Sequence, residues 1–121
     1  KRNLVTGRAS NMTYDVKQDK GYSIVLLNGD VDLSCSPDAR KVILECLEAS
    51  HNTLVDLSAV DYIDSSGVAS LVEGYQTAKK KELLFGLVGV SEPAMNVLEL
   101  ARLDKVFPIF DDLEACVEAN G

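Results

Sequence analysis

The sequence predicts an α/β domain: a mixed, largely parallel sheet of four to five strands, an antiparallel edge hairpin at its N-terminal side, and about four helices. Three observations predict it. Short apolar runs rich in β-formers alternate with amphipathic stretches of helical period. The run Leu83 to Val90 (LLFGLVGV) is apolar almost throughout, as in a strand covered on both faces. The first two candidate strands are separated only by Asp19-Lys20-Gly21, a short glycine-containing turn that suits a hairpin.

The elements follow in order. Residues 1–10 are polar and aperiodic and are set aside as a leader, tag remnant or truncation scar, leaving 11–121 as the domain. Met12 to Gln18 alternates weakly and reads as an edge strand; Tyr22 to Asn28 (YSIVLLN) is the second strand. Gly29-Asp30-Val31-Asp32 leaves it, and Ser34 to Asp38 with Pro37 offers a helix start. Ala39, Val42, Ile43, Cys46 and Leu47 then mark one buried helix face, which ends at His51-Asn52. Thr53 to Leu57 is the third strand, continuing loosely through Ala59-Val60 into a polar turn from Asp61 to Gly67. The next helix turns Val68, Leu71, Val72, Tyr75 and Ala78 inward and ends in Lys79-Lys80-Lys81, where positive charge suits the helix dipole. After Leu83 to Val90, Ser91-Glu92-Pro93 opens a third helix with Ala94, Val97, Leu98 and Ala101 inward. Val106 to Phe110 is a last short strand, and Asp111-Asp112 starts a final helix carrying Leu113, Cys116 and Val117. The β-β-α-β-α-β-α-β-α order implies parallel pairing with right-handed crossovers after the hairpin.

Composition narrows the function classes. The chain has 121 residues, enough for one domain with one real core, and with no Trp and 3 Phe that core must be aliphatic. A net charge of −7 argues against nucleic acid or an anionic membrane surface as partner, because both require Lys and Arg to neutralise phosphate. No stretch is apolar enough to span a bilayer and no secretory leader is visible, so a cytoplasmic setting is expected. The 3 Cys (Cys35, Cys46, Cys116) lack metal-like spacing and read as reduced, with Cys46 and Cys116 on apolar stripes.

In such a sheet, ligands and partners meet the carboxyl ends of the strands. Three loops should gather there: Gly29 to Asp32, Asp61 to Gly67, and Gly89 to Pro93. They would bring Asp30, Asp32, Asp61, Asp64, Ser65, Ser66 and Ser91 to one pole. Asp64-Ser65-Ser66-Gly67 has two readings. It is a helix cap, since Asp and Ser satisfy free backbone N–H groups. It is equally a place where small hydroxyls and Gly67 permit close approach, and where added phosphate oxygens would meet free N–H groups. Ser65 as a nucleophile would need a base. The one His, His51, precedes the third strand while Ser65 follows it, on the order of 20–25 Å apart at about 3.3 Å per residue. No catalytic residues are expected. The aspartates read as caps and solubilising charge rather than a metal site, and Gly86 and Gly89 lack the Gly-Lys-Ser of a phosphate loop, so no cofactor is expected.

The segment Leu54-Val55-Asp56-Leu57-Ser58-Ala59-Val60-Asp61-Tyr62-Ile63-Asp64-Ser65-Ser66-Gly67-Val68 resembles the STAS domain of anti-sigma factor antagonists. The likeness runs from about Met12 to the C-terminus and takes in Gly29-Asp30-Val31-Asp32 and Val90-Ser91-Glu92-Pro93. It implies partner switching: the unmodified antagonist binds an anti-sigma factor that is also a serine kinase, phosphorylation releases it, and a phosphatase resets it. By position the acceptor is Ser65. The partner-binding surface takes in Asp30, Asp32, Asp64, Ser65, Ser66, Gly67 and Ser91, with Asp32 as the acidic residue facing the acceptor. The alternative is that of stand-alone STAS subunits docking on the ATPase of a lipid-transport ABC system. The helix start Val68-Ala69-Ser70-Leu71-Val72-Glu73 belongs distinctively to neither group.

Overall fold

The computed structural model describes residues 14–120, so the expectations for residues 1–10 and for Met12 lie outside the described residues. The first hairpin joins β1 (Asp15–Asp19) to β2 (Tyr22–Val31), antiparallel, with Asp19 opposite Tyr22. Lys20 and Gly21 form its two-residue turn with φ of 50° and 86°. Two positive φ values in a two-residue turn give the twist that hairpin strands need, and glycine takes such a φ without steric cost.

Each later strand is reached through a helix: α1 (Ser36–Glu48), β3 (Asn52–Ile63), α2 (Ser65–Lys81), β4 (Phe85–Val88), α3 (Glu92–Leu100), β5 (Ile109–Phe110) and α4 (Leu113–Asn120). The sheet order is β1-β2-β3-β4-β5, antiparallel at β1–β2 and parallel thereafter, as expected. Successive parallel strands lie side by side, so the carboxyl ends of β2, β3 and β4 face one pole.

The faces are unequal. On one, Val25, Leu27, Val55, Leu57 and Leu87 pack against Ile43 and Leu47 of α1, Leu71 and Ala78 of α2, and Leu98 of α3. The other is covered by α4, with Cys116 against Tyr22, Ile24, Leu54 and Val88. Leu27, Leu57 and Leu87 are fully buried, a burial that stabilises by about 1.5–3 kcal/mol for each such side chain. Cys46 and Cys116 are buried and Cys35 is partly exposed, all as free thiols.

Several boundaries differ from the expectation. The third strand does not fade at Val60 but runs to Ile63, so Asp61 and Tyr62 lie on a strand rather than in a turn. Pairing explains why. Leu26 pairs Asp56 but Asn28 pairs Ala59, and Gly29 pairs Val60 but Asp30 pairs Tyr62. At each slip β3 carries one residue more than β2, so its buried positions become Leu57, Val60 and Ile63, and simple alternation vanishes. The fourth and last strands are shorter than expected, because only Phe85–Val88 and Ile109–Phe110 find partners. Ala101 is the exposed C-cap of α3 rather than an inward residue.

Candidate functional site

One local structure occurs three times: Asp32-Leu33-Ser34, Asp56-Leu57-Ser58 and Asp64-Ser65-Ser66. In each, the Asp Oδ1 accepts from the backbone N–H two residues on, at 3.1, 2.8 and 2.9 Å, and from that residue's hydroxyl, at 2.7, 2.6 and 2.6 Å. Such a turn closes on its own short side chain, which is why Asp and Ser prefer it to regular structure. The middle residue is left to point elsewhere. Leu57 points into the core, Leu33 is 74% exposed, and Ser65 is exposed.

Asp64 is the N-cap of α2, in extended conformation, and its Oδ1 also accepts from the Gly67 N–H at 3.1 Å. Its carboxyl is held below the usual carboxylate range, chiefly by the Ser66 hydroxyl, then by the Gly67, Ser66 and Leu33 N–H groups. The same side chain thus secures the start of α2 and bears on the loop after β2. The Asp64 N–H donates to the Val31 carbonyl at 3.3 Å. Gly67 makes this closeness possible: a Cβ there would lie 2.6 Å from the Val31 carbonyl oxygen and 2.7 Å from Ile63 Cγ1.

Asp32 forms the facing side. Its carboxyl is lowered mainly by the Ser34 hydroxyl and pushed the other way by the charge of Asp64. Its carbonyl accepts from the Cys35 and Ser36 N–H groups at 3.0 and 2.8 Å, which turns the chain into α1. Asp32, Asp64, Ser65, Ser66 and Gly67 are therefore brought together. Asp30 and Asp61 stand exposed on the ends of β2 and β3, with Asp30 opposite Tyr62. Ser91 caps α3. Its hydroxyl donates to the Val60 carbonyl at 2.7 Å and accepts from the Ala94 N–H at 3.3 Å, so it is committed within the fold.

The two serines of the motif differ sharply. The Ser66 hydroxyl is spent on Asp64, whereas the Ser65 hydroxyl is exposed and has no partner among the described residues. The cap narrows the expectation that a phosphate here would meet free N–H groups. The Ser66 and Gly67 N–H groups already donate to Asp64 Oδ1, and that of Val68 to the Asp64 carbonyl at 3.0 Å. The cap has taken the Ser66 and Gly67 donors and leaves the Ser65 N–H without a partner among the described residues, so a group added to Ser65 would carry its charge beside the Asp64 carboxylate. From Ser65 an open groove of about 600 Å³ follows α2 past Ala69, Val72 and Gln76. Among the described residues no group of three or more His, Cys, Asp or Glu side chains could hold a metal ion. No described helix is long and apolar enough to cross a membrane.

Three features escaped the sequence reading. Leu33 and Tyr62 are large exposed apolar residues, 74% and 50%, on the two segments that flank the motif. An apolar residue inside Asp-x-Ser, off any periodic stripe, was the available signal for Leu33. His51 is more than a helix-end residue: its Nδ1 is 2.8 Å from the hydroxyl of fully buried Ser23. That pair lies at the amino end of the sheet, away from Ser65, and no local pattern announces it.

The chain is similar to known anti-sigma factor antagonists. An anti-sigma-B factor antagonist of Bacillus subtilis (strain 168) is 25% identical over 108 residues, 89% of this chain and 99% of that protein. An anti-sigma F factor antagonist of Paenibacillus polymyxa is 24% identical over 104 residues, 84% of this chain and 89% of that protein. The crystal structure of an anti-sigma factor antagonist from Mycobacterium paratuberculosis superposes with a TM-score of 0.79 at 29% identity, covering 88% of this chain and 92% of that one. These relatives are named for regulatory binding rather than for a catalysed reaction. The family model described as STAS domain matches residues 13–116, nearly all of the described fold and every residue of the candidate site, and the chain belongs to the STAS domain family.

Proposed function

We propose that this chain is a cytoplasmic anti-sigma factor antagonist that works by partner switching. Unmodified, it binds an anti-sigma factor with serine kinase activity. Phosphorylation of Ser65 releases it, and a phosphatase restores binding. The observation that carries the reading is the state of Ser65: exposed, at the first position of α2, its hydroxyl unpartnered among the described residues, beside Asp32 and Asp64.

An acceptor needs access and needs no base of its own, because a kinase brings both the base and the nucleotide. Phosphate would add about −1.5 to −2 charges at neutral pH. The Ser66 and Gly67 donors of the helix start are occupied by Asp64, so most of that charge would stay on the surface with Asp32 and Asp64. The fold would be undisturbed, since no hydrogen bond among the described residues uses the Ser65 hydroxyl. A partner surface matched to the unmodified patch, with a pocket for Leu33 or Tyr62, would lose affinity through repulsion and desolvation.

Incubation with a cognate kinase and ATP should add one phosphate, located at Ser65 by peptide mass mapping, and Ser65→Ala should take up none. Equal labelling of Ser65→Ala overturns the assignment. Ser65→Glu should weaken binding to the anti-sigma factor at least tenfold by titration calorimetry, a loss of about 1.4 kcal/mol, with an unchanged circular dichroism spectrum.

A further inference from the structure

The sheet has two edges, β1 and β5. β5 is only two residues long. β1 offers five residues, Asp15–Asp19, all exposed, and among the described residues no strand pairs with its outer side. An edge strand carries a row of free N–H and C=O groups that can template further pairing. The hairpin fixes which groups those are. Asp19 and Tyr22 close the two-residue turn as a hydrogen-bonded pair, and antiparallel strands alternate bonded and unbonded pairs. Asp15, Lys17 and Asp19 therefore bond inward to β2, and Val16 and Gln18 turn their N–H and C=O outward. Val16 is also a large apolar residue, 38% exposed, beside Val25 on the face that packs against α1.

We propose that β1 is the pairing edge for a second copy of this chain, the two β1 strands running antiparallel about a two-fold axis between their Val16 residues. Charge selects the register. Bonds form only where outward residues face outward residues, so the axis must fall on a residue rather than between two. An axis at Asp15 sets Asp15 against Asp15, and one at Lys17 sets Lys17 against Lys17 and Asp15 against Asp19. An axis at Gln18 puts half of the pairing on the Lys20–Gly21 turn. An axis at Val16 bonds Val16 to Val16 and Gln18 to Tyr14, and it sets Asp15 opposite Lys17 on both sides. Opposite charges directly across a strand pair are stabilising, and like charges are destabilising. A lysine on an edge strand ordinarily blunts pairing, but here Lys17 meets its counter-charge. The contact is self-complementary, so it closes as a dimer with one sheet running through both copies. α1 packs on β2 and β3, inward of this edge. α2 begins after β3, two strands in, so Ser65 stays open in the pair.

Sedimentation velocity of the intact chain, from micromolar to millimolar loading, should show monomer giving way to dimer. Lys17→Glu sets acid against acid on both sides of the axis and should weaken the dimer about tenfold. Asp15→Lys combined with Lys17→Asp exchanges the charges and should restore the dimer, which only the Val16-centred register allows. Val16→Pro removes an N–H that β2 does not use, so it should abolish the dimer and leave the circular dichroism spectrum unchanged. A chain that stays monomeric at millimolar loading overturns the proposal, as does a dimer that Lys17→Glu or Val16→Pro leaves intact. Failure of the exchanged pair to restore what Lys17→Glu weakens overturns the register. The measurement needs neither kinase nor anti-sigma factor, so its failure leaves the phosphorylation reading intact.

Discussion

At the amino end of the sheet, Ser23 is fully buried, and its hydroxyl accepts from Gln18 Nε2 at 2.8 Å and meets His51 Nδ1 at 2.8 Å. At the carboxyl end, Ser65 is exposed with neither base nor hydrogen-bond partner among the described residues. A search for a serine beside a histidine would choose Ser23. Yet that hydroxyl is out of reach of any substrate, and its bonds tie the hairpin turn region to the connection between α1 and β3. A serine that must be modified by another enzyme has the opposite requirements: it must be reachable and must hold up nothing. The difference teaches that a nearby base marks a serine's chemistry only when the serine is also accessible.

The largest expected effect comes from breaking the frame around Ser65 without touching its hydroxyl. Gly67→Ala forces a methyl against the Val31 carbonyl oxygen and Ile63, so α2 must move off the end of β2. Overpacking of this kind costs about 1–3 kcal/mol, and a rigid carbonyl on one side places this case at about 3. Urea unfolding should report that loss. Because the shift displaces the helix start that carries Ser65, kinase labelling should slow as well. A stability within error of the parent would mean that the close approach of α2 to β2 is not what builds the site.

A smaller loss is expected at the other end. Ser23→Ala deletes the hydroxyl that joins Gln18 to His51, leaving polar groups without their partner in a part-buried position. The expected cost is about 1–2 kcal/mol by the same unfolding measurement, with phosphorylation of Ser65 unchanged. Ser65→Ala should do the reverse, staying within about 0.5 kcal/mol of the parent while losing the phosphate acceptor, as exposed substitutions away from structural bonds do. If Ser23→Ala proved neutral and Ser65→Ala destabilising, the contrast between a structural and an available hydroxyl would be inverted.

Much of this was legible in the chain. Alternating β and helical periods yielded the element order and the hairpin, because those signals are local and each element has one dominant buried face. Asp64-Ser65-Ser66-Gly67 announced both a cap and an approachable turn, since Asx turns and N-caps depend only on neighbouring residues. What stayed hidden depends on pairing across the sheet. The two slips between β2 and β3 turn alternation into spacing by three, so Ala59 to Ile63 resembled a loop. Ser23 and His51 are 28 residues apart and meet only after α1 has formed. The competition for N–H groups also had to be counted atom by atom: Asp64 uses two of the donors, those of Ser66 and Gly67, that the sequence alone left available to a phosphate.

The finest test separates the charge of Asp64 from its shape. Its folded pKa lies below the ordinary value of about 3.9, because the Ser66 hydroxyl and the N–H groups at the helix start favour the ionised form. Between the two values the unfolded chain binds more protons than the folded one, so stability rises with pH there. The contribution is complete above the ordinary carboxylate range and disappears as pH falls through the folded value. Asn keeps an oxygen that can cap α2 but carries no charge. Asp64→Asn should therefore be less stable than the parent at pH 7, by a margin that narrows steadily below about pH 4. Glu73, lowered by Arg40, is present in both proteins and cancels in the difference, whereas Asp32, which the Asp64 charge pushes up, is relieved in the variant and offsets part of the margin. Thermal unfolding of the two proteins across pH 3 to 7 measures the margin. A constant margin would mean that the Asp64 charge does not hold the start of α2, leaving Ser65 positioned by Gly67 and Val31 alone.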